Sequence, residues 1–337
     1  MPIIKSPLGE IWKVKMEADK LLYQAFLTGK TIENILSYQF QIDRTGNAHF
    51  CLYDQDQNLH YFLWEKGVWQ RIIKLSQVPG TYFLTQEHQG NSHLLVQETD
   101  GHYQHFIYEK TQLKKKLLLT TDQKDTIPWN LLTCSPGIIL LVRKRTSGLE
   151  TIIKYQLFFL EENSWSEEKT WTTLTGYPGN LSLWTHHDQL YLTYLDFISS
   201  TPTLRLANLQ PATGQGQDHS FPDLSPRASP PLLSLSSAGV TLLCPNQKSL
   251  LFWISADEGW TWKNRMELTM PCSLSLVPVT GYNGTLTHLI ACTGLSSLNF
   301  TEPALFTADD LLTGISLTGP SPYFRQLGGK DKARLRK

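Results

Sequence analysis

The sequence predicts an all-β chain folded as a β-propeller of four-stranded antiparallel blades, six by count with seven as the alternative. Three observations predict it. A turn residue followed at once by an apolar run recurs at Gly46, Gly90, Gly137, Asp188, Gly239 and Gly284, at spacings of 44, 47, 51, 51 and 45 residues. A period in the forties made of short strands marks one blade per repeat. Within a repeat, four short apolar runs alternate with polar or glycine turns, as hairpins require. Finally, runs such as Leu250-Leu251-Phe252-Trp253-Ile254 are apolar at every position, the pattern of strands covered on both faces.

Taken in order, residues 9–15 and 21–28 read as a strand pair around Asp19-Lys20, too close to the first repeat to form a full blade. Residues 1–30 are therefore expected to close the ring and cover an open sheet edge. Six repeats follow over 35–318, one propeller domain spanning 1–318. The first repeat is the plainest: four runs separated by Asp43–Gly46, Asp54–Asn58 and Glu65–Gly67. In the second, Lys114-Lys115-Lys116 reads as a charge run protecting an outer edge. The fourth strand of the third repeat is expected at 165–172. In the fourth repeat, 211–231 holds five prolines. It reads as a long exposed loop with the last strand short or displaced near 219–221, because proline cannot sit in a central strand. The fifth repeat is expected to end on a strand at 262–268, and the sixth on a weak strand near 314–317. Residues 319–337 read as a basic tail. Tryptophans 64, 69, 165, 171, 253 and 262 fall in third or fourth strands or their turns, where large rings fill the gap between outer blade edges.

Apolar residues are 41% of the 337, and thirty basic residues balance thirty acidic ones. That is enough for a large core, and bulk charge gives no reason to expect a nucleic acid or membrane partner. No run has signal-peptide or membrane-span length. The five cysteines (Cys51, Cys134, Cys244, Cys272 and Cys292) are odd in number with no CxxC spacing. They read as reduced, buried side chains of a cytoplasmic monomer.

The fifth repeat holds Ser255-Ala256-Asp257-Glu258-Gly259-Trp260-Thr261-Trp262. This resembles the Asp-box, Ser-x-Asp-x-Gly-x-Thr-Trp, of bacterial-neuraminidase-type repeats, and all the fixed positions match. The resemblance covers one repeat and implies a non-catalytic member of the sialidase-like propeller superfamily. Within it, Ser255, Asp257, Gly259, Thr261 and Trp262 would be structural: the carboxylate accepts from turn N–H groups and hydroxyls, the glycine permits positive φ, and the tryptophan packs between blades. In that family the box lies on the face opposite the catalytic site.

Catalytic chemistry is sparse. The family's Phe-Arg-Ile-Pro signature is absent, as are a nucleophile elbow, a P-loop and HExxH. His49 and His93 hold equivalent places in two repeats, which duplication explains without a metal. No metal or cofactor is expected. The face opposite Asp257 carries Asp54, Asp56, Glu98, Asp100, Arg143, Arg145 and Asp196 in turns between second and third strands. These are the candidate ligand-binding residues. The leading expectation is a non-catalytic binding or scaffold module for a protein segment or glycan. The competing one is a glycoside hydrolase of the sialidase-like superfamily, which needs two carboxylates about 5–9.5 Å apart.

Overall fold

The computed structural model describes residues 3–5, 11–17, 20–25, 28–66, 68–87, 89–100, 102–109, 111–119, 127–135, 137–176, 178–186, 188–197, 202–221, 224, 231–236, 239–246, 249–263, 265–269, 274–281, 286–293 and 305–306. The expected strand at 314–317, the basic tail, the turn at Gly284, Cys272 and most of the proline-rich stretch after 221 lie outside them. All the regular structure described is strand.

The chain opens with an antiparallel meander of β1 (Ile3–Lys5), β2 (Ile11–Glu17), β3 (Lys20–Ala25) and β4 (Thr28–Ile32). Next come two four-stranded sheets: β5 (Ile35–Ile42), β6 (Ala48–Asp54), β7 (Leu59–Glu65) and β8 (Val68–Leu75), then β9 (Tyr82–Gln86), β10 (Asn91–Gln97), β11 (Tyr103–Glu109) and β12 (Gln112–Leu119). The third repeat has β13 (Ile127–Ser135), β14 (Ile138–Ser147), β15 (Glu150–Phe159), β16 (Ser164–Trp165) and β17 (Lys169–Thr175). The fourth has β18 (Pro178–His186), β19 (Gln189–Asp196), β20 (Thr203–Gln210) and β21 (Gln215–Phe221). The fifth has β22 (Leu232–Ser236), β23 (Gly239–Asn246), β24 (Ser249–Ser255) and β25 (Met266–Thr269). The last strands among the described residues are β26 (Leu274–Gly281), β27 (Leu286–Thr293) and β28 (Leu305–Phe306). β26 pairs in parallel with β1, so the two ends of the chain share one seven-stranded sheet.

Side-chain alternation explains why these strands are apolar throughout. Successive residues of a strand point to opposite faces, and here each face meets a different neighbour. Leu94 packs with Cys51, Leu59 and Tyr61 of the preceding sheet, whereas Leu95 packs with Ile139, Leu141 and Phe158 of the following one. Leu192 likewise faces Leu140 and Tyr155, and Tyr191 faces Leu242 and Trp253. Val14 and Leu21 of the N-terminal meander pack on Phe40 and Phe50. Each fully buried side chain of this size contributes roughly 1.5–3 kcal/mol, and no sheet could bury both faces alone. This is the packing of a propeller.

Polar side chains lock the innermost strands together. Gln39 on β5 donates through Nε2 to the Tyr82 carbonyl (2.7 Å) and accepts through Oε1 from the Leu84 N–H (2.6 Å). Its amide thus completes backbone pairing toward β9. Thr133 of β13 donates to the Gln86 carbonyl of β9.

Four sequence expectations are corrected. Residues 3–32 hold four strands, enough for a complete meander, because their turns are only two to five residues long. The fourth strand of the fourth repeat is neither short nor displaced: β21 pairs with β20 from Gln215 to Phe221. Pro211 and Gly214 sit in the turn before it, and no proline interrupts the ladder. The strand expected at 165–172 is split into β16 and β17 around Ser166, whose Oγ accepts from the Leu157 N–H (3.0 Å). The strand expected at 262–268 begins only at Met266, because the preceding residues belong to a hydrogen-bonded turn.

Candidate functional site

An acid at one strand end and a polar side chain six residues later recur four times: Asp43/His49, Asp54/His60, Glu87/His93 and Glu98/Gln104. The acid caps a tight turn, and the residue at i+6 returns beside it on the next strand. At Asp54 this geometry builds one wall of a cleft. Oδ1 accepts from the Asn58 N–H (2.8 Å), and Oδ2 accepts from His60 Nε2 (2.7 Å). The carboxylate cannot donate, so the His60 proton lies on Nε2. Partial burial would raise the Asp54 pKa, but the hydrogen bonds from His60 and Asn58 outweigh it and hold the carboxyl below its ordinary value.

The cleft has a volume of about 400 Å³. Its polar rim includes Glu33, Asp54, Asp56, His60 and Arg71. The Asn34 carbonyl accepts from the Gln55 N–H (3.1 Å), tying the end of the N-terminal meander to the turn. Ile32, Leu52 and Phe62 continue from the cleft into an apolar pocket of about 210 Å³ completed by Phe50 and Trp69. Trp69 stands edge-on to Phe50 at 5.2 Å. A polar rim, with Glu33 paired to Lys20 at 2.9 Å, thus opens onto an apolar recess.

Of the candidate ligand-binding residues, Asp54 and Asp56 share this cleft. Glu98 and Asp100 close the corresponding turn of the next sheet, Glu98 accepting from Gln104 and Asp100 from the His102 N–H (3.0 Å). The other three lie in strands. The turn expected to hold Arg143 and Arg145 is shorter and lies beyond them, because polar pairs up to Ser147 and Glu150 prolong the β14–β15 hairpin. Arg143 is 1% exposed. Its Nη1 is 3.4 Å from Glu168 Oε2, and its guanidinium stands 5.7 Å from the Tyr103 ring centre. Burial lowers its pKa, and Glu168 opposes the shift. Arg145 is half-buried in the same strand. Asp196 is buried at the end of β19 with its Oδ2 3.4 Å from Arg205 Nε. The candidate ligand-binding residues left out Glu33, His60, Arg71 and Trp69, the last read only as filling between blade edges. The acid-to-i+6 spacing could have flagged His60; nothing local marks the others, which come from separate strands.

The remaining acid–histidine pairs are internal. His49 Nδ1 lies 2.7 Å from Tyr61 Oη and 3.3 Å from Ser92 Oγ, with Nε2 3.3 Å from Asp43 Oδ2. The group has the composition of a nucleophilic triad, but Ser92 is 0% exposed, so no substrate reaches it. His93 Nδ1 and His105 Nε2 are 2.9 Å apart, enclosed by Phe158 and Trp165. Among the described residues no three His, Cys, Asp or Glu side chains come together as a metal ligand set. No described helix is long and apolar enough to cross a membrane.

The turn at 255–262 is a second ordered centre. Asp257 Oδ1 accepts from Ser255 Oγ (2.7 Å) and the Thr261 N–H (2.8 Å), and Oδ2 from Thr261 Oγ1 (2.6 Å). Gly259 N–H donates to Ser255 Oγ (2.6 Å), and Trp262 Nε1 donates to the Gly259 carbonyl (3.1 Å). Desolvation would raise the Asp257 pKa, but these donors together outweigh it and bring it down to about 2.

No protein-family model matches the chain, and no curated protein does. Among solved structures, one described as BBS1N in complex with ARL6DN, soaked with mercury, is similar at a TM-score of 0.45 and 11% identity, over 85% of this chain and 84% of that one.

Proposed function

We propose that this chain is a non-catalytic binding scaffold that recognises a protein segment or glycan through the face carrying the Asp54–Asn58 turn, and that the cleft there takes a protein segment. The observation that carries this reading is the apolar recess of Phe50, Leu52, Phe62 and Trp69 opening beneath a rim of Glu33, Asp54 and Asp56. Such a recess accepts a bulky side chain, and interfaces concentrate their affinity in desolvated pockets of this kind. Glu33 is paired with Lys20 at 2.9 Å and Arg71 stands in the same lining, so it is the exposed Asp56 that favours a Lys or Arg beside that anchor. Asp54 is occupied as a turn acceptor and held below the ordinary carboxyl pKa, the opposite of what a general acid requires. The hydrogen-bonded Asp257 turn supports kinship with the Asp-box propellers. We take the ring to have six blades, one per sheet, with the shared sheet of β1–β4 and β26–β28 closing it; seven is the alternative, with β1–β4 taken as a blade of their own. Three buried free cysteines, Cys51, Cys134 and Cys244, favour a reducing, cytoplasmic home, and we take the chain to act as a monomer.

The test is selection of displayed peptides on the purified full chain, beside a panel of fluorogenic glycosides. Enriched peptides should pair a large apolar residue with Lys or Arg, and lose at least tenfold in affinity for Asp56→Lys, an exposed position. Glycoside turnover that disappears on changing Asp54, Asp56, Glu98 or Asp100 would establish the hydrolase instead.

A further inference from the structure

A second cleft, of about 520 Å³, lies on the outer flank between β21 and the segment joining β24 to β25. That volume falls within the roughly 300–1,000 Å³ of small-ligand sites. Trp260, Trp262, His219, Gln217, Lys263 and Arg265 are among its lining. The aromatic part is held rigidly. Trp262 stands edge-on to Phe221 with ring centres 5.8 Å apart, and 6.2 Å from His219. Its indole N–H is tied to the Gly259 carbonyl, and Asp257 holds Thr261 by both backbone and hydroxyl. The stretch 260–263 is therefore a presented surface whose ordering cost is met in folding, which favours tight binding.

The lining's fixed charges are the cations Lys263 and Arg265. Both are exposed; among the described residues no carboxylate is in the lining, although Asp218 and Asp257 stand near enough to act electrostatically on His219. Glu267 Oε2 is 3.7 Å from Arg265 Nη2 and offsets only that charge in part. Two indoles, an amide, hydroxyls from Thr261 and Ser220, and the exposed cations Lys263 and Arg265 match a ring with an apolar C–H face, many hydroxyls and a negative substituent.

We propose that this cleft binds an anionic saccharide, stacked on Trp260 and Trp262, with its acidic group facing Lys263 and Arg265. Carboxylate and sulfate ester satisfy the same cations, so the test carries both. The full chain is titrated, by calorimetry and tryptophan fluorescence, with trigalacturonate, a sulfated heparin-derived disaccharide, neutral cellotriose and a glutamate-rich peptide. One anionic saccharide should bind at least tenfold more tightly than cellotriose and perturb the fluorescence, and which of the two does so identifies the anion. Trp260→Ala and the double change Lys263→Ala/Arg265→Ala should each weaken it at least tenfold. Should Trp260→Ala lower the melting temperature, the double variant, altered only at exposed positions, reads the site alone. Asp56→Lys should leave the affinity unchanged, which separates this site from the cleft proposed above. Equal binding of cellotriose, preference for the peptide, no saccharide binding, or affinity retained in the double variant would each overturn the proposal.

Discussion

Tyr191 on β19 donates its phenolic proton to the carbonyl of Glu258 at 2.8 Å, across the gap between two sheets. The acceptor sits in a turn where Glu258 has φ of 57° and Gly259 φ of 90°. Asn208 Nδ2 reaches the Gly259 carbonyl from the same side at 3.0 Å. One sheet thus holds the strained turn of the next. Tyr191→Phe should cost about 1 kcal/mol, the net worth of a typical hydrogen bond. Gly259→Ala should cost more, roughly 2 to 4 kcal/mol, by combining backbone strain with overpacking. A Cβ there would stand 2.7 Å from a Tyr191 ring carbon. Denaturant unfolding measures both, and a neutral Gly259→Ala would refute this account of the turn.

Gln39 bridges β5 and β9 by serving two backbone groups at once. Gln39→Ala should destabilise by about 1–3 kcal/mol, because the Tyr82 carbonyl and the Leu84 N–H are left without that partner. Gln39→Glu keeps the acceptor and removes the donor, so its loss should be distinct. Hydrogen exchange at Leu84 should accelerate in Gln39→Ala; an unchanged rate would show that the bridge does not hold the strands.

Acid should weaken the fold through Asp43. Burial raises its pKa, but hydrogen bonds from His49, Thr45 and Asn47 outweigh this and bring it to about 2, against an ordinary 3.8. A carboxyl with a depressed folded-state pKa stabilises above the unfolded pKa, and that stability is lost as pH falls through the folded one. The window therefore runs from about pH 4 down to about pH 2, with roughly 2 kcal/mol at stake. Asp257 titrates in the same direction and window. Asp43→Asn should be less stable at pH 7 and lose less between pH 4 and pH 2. Parallel curves for the two proteins would contradict the assignment.

The buried pair His93 and His105 should make stability fall at a milder pH. Burial depresses both pKa values, for His105 well below 6.5; Glu87 opposes the shift at His93, and His93 adds to it at His105. The unfolded chain takes up these protons first, so stability is lost as pH drops below about 6.5. A His93→Gln/His105→Phe double variant should flatten unfolding midpoints between pH 7 and pH 5. Glu87 is the facing acid, with Oε2 3.6 Å from His93 Nε2. A variant with the full wild-type slope would place the sensitivity elsewhere.

Much of the architecture is legible in the chain because it rests on local signals. Gly46 and Gly90 end inner hairpins with positive φ, and the runs after them are apolar at consecutive positions. The Asp257 turn is legible for the same reason, since its donors and acceptors lie within eight residues of one another. Where local signals mislead, the ladder decides. Arg143 reads as a turn residue until polar pairs at Thr146/Thr151 and Ser147/Glu150 lengthen its hairpin. Prolines near β21 suggest a loop, yet they fall outside the strand's own N–H groups.

By itself the sequence determined the all-β class, the repeat and the hydrogen-bonded turns, because strand alternation, turn chemistry and side-chain capping act over a few residues. Only the tertiary structure decided that β26 pairs with β1, that Arg143 is interior, and that Glu33, Asp56, Arg71 and Trp69 gather at one polar rim and its recess. Those outcomes depend on which sheet faces which, a relationship between segments far apart in the chain that no local pattern encodes.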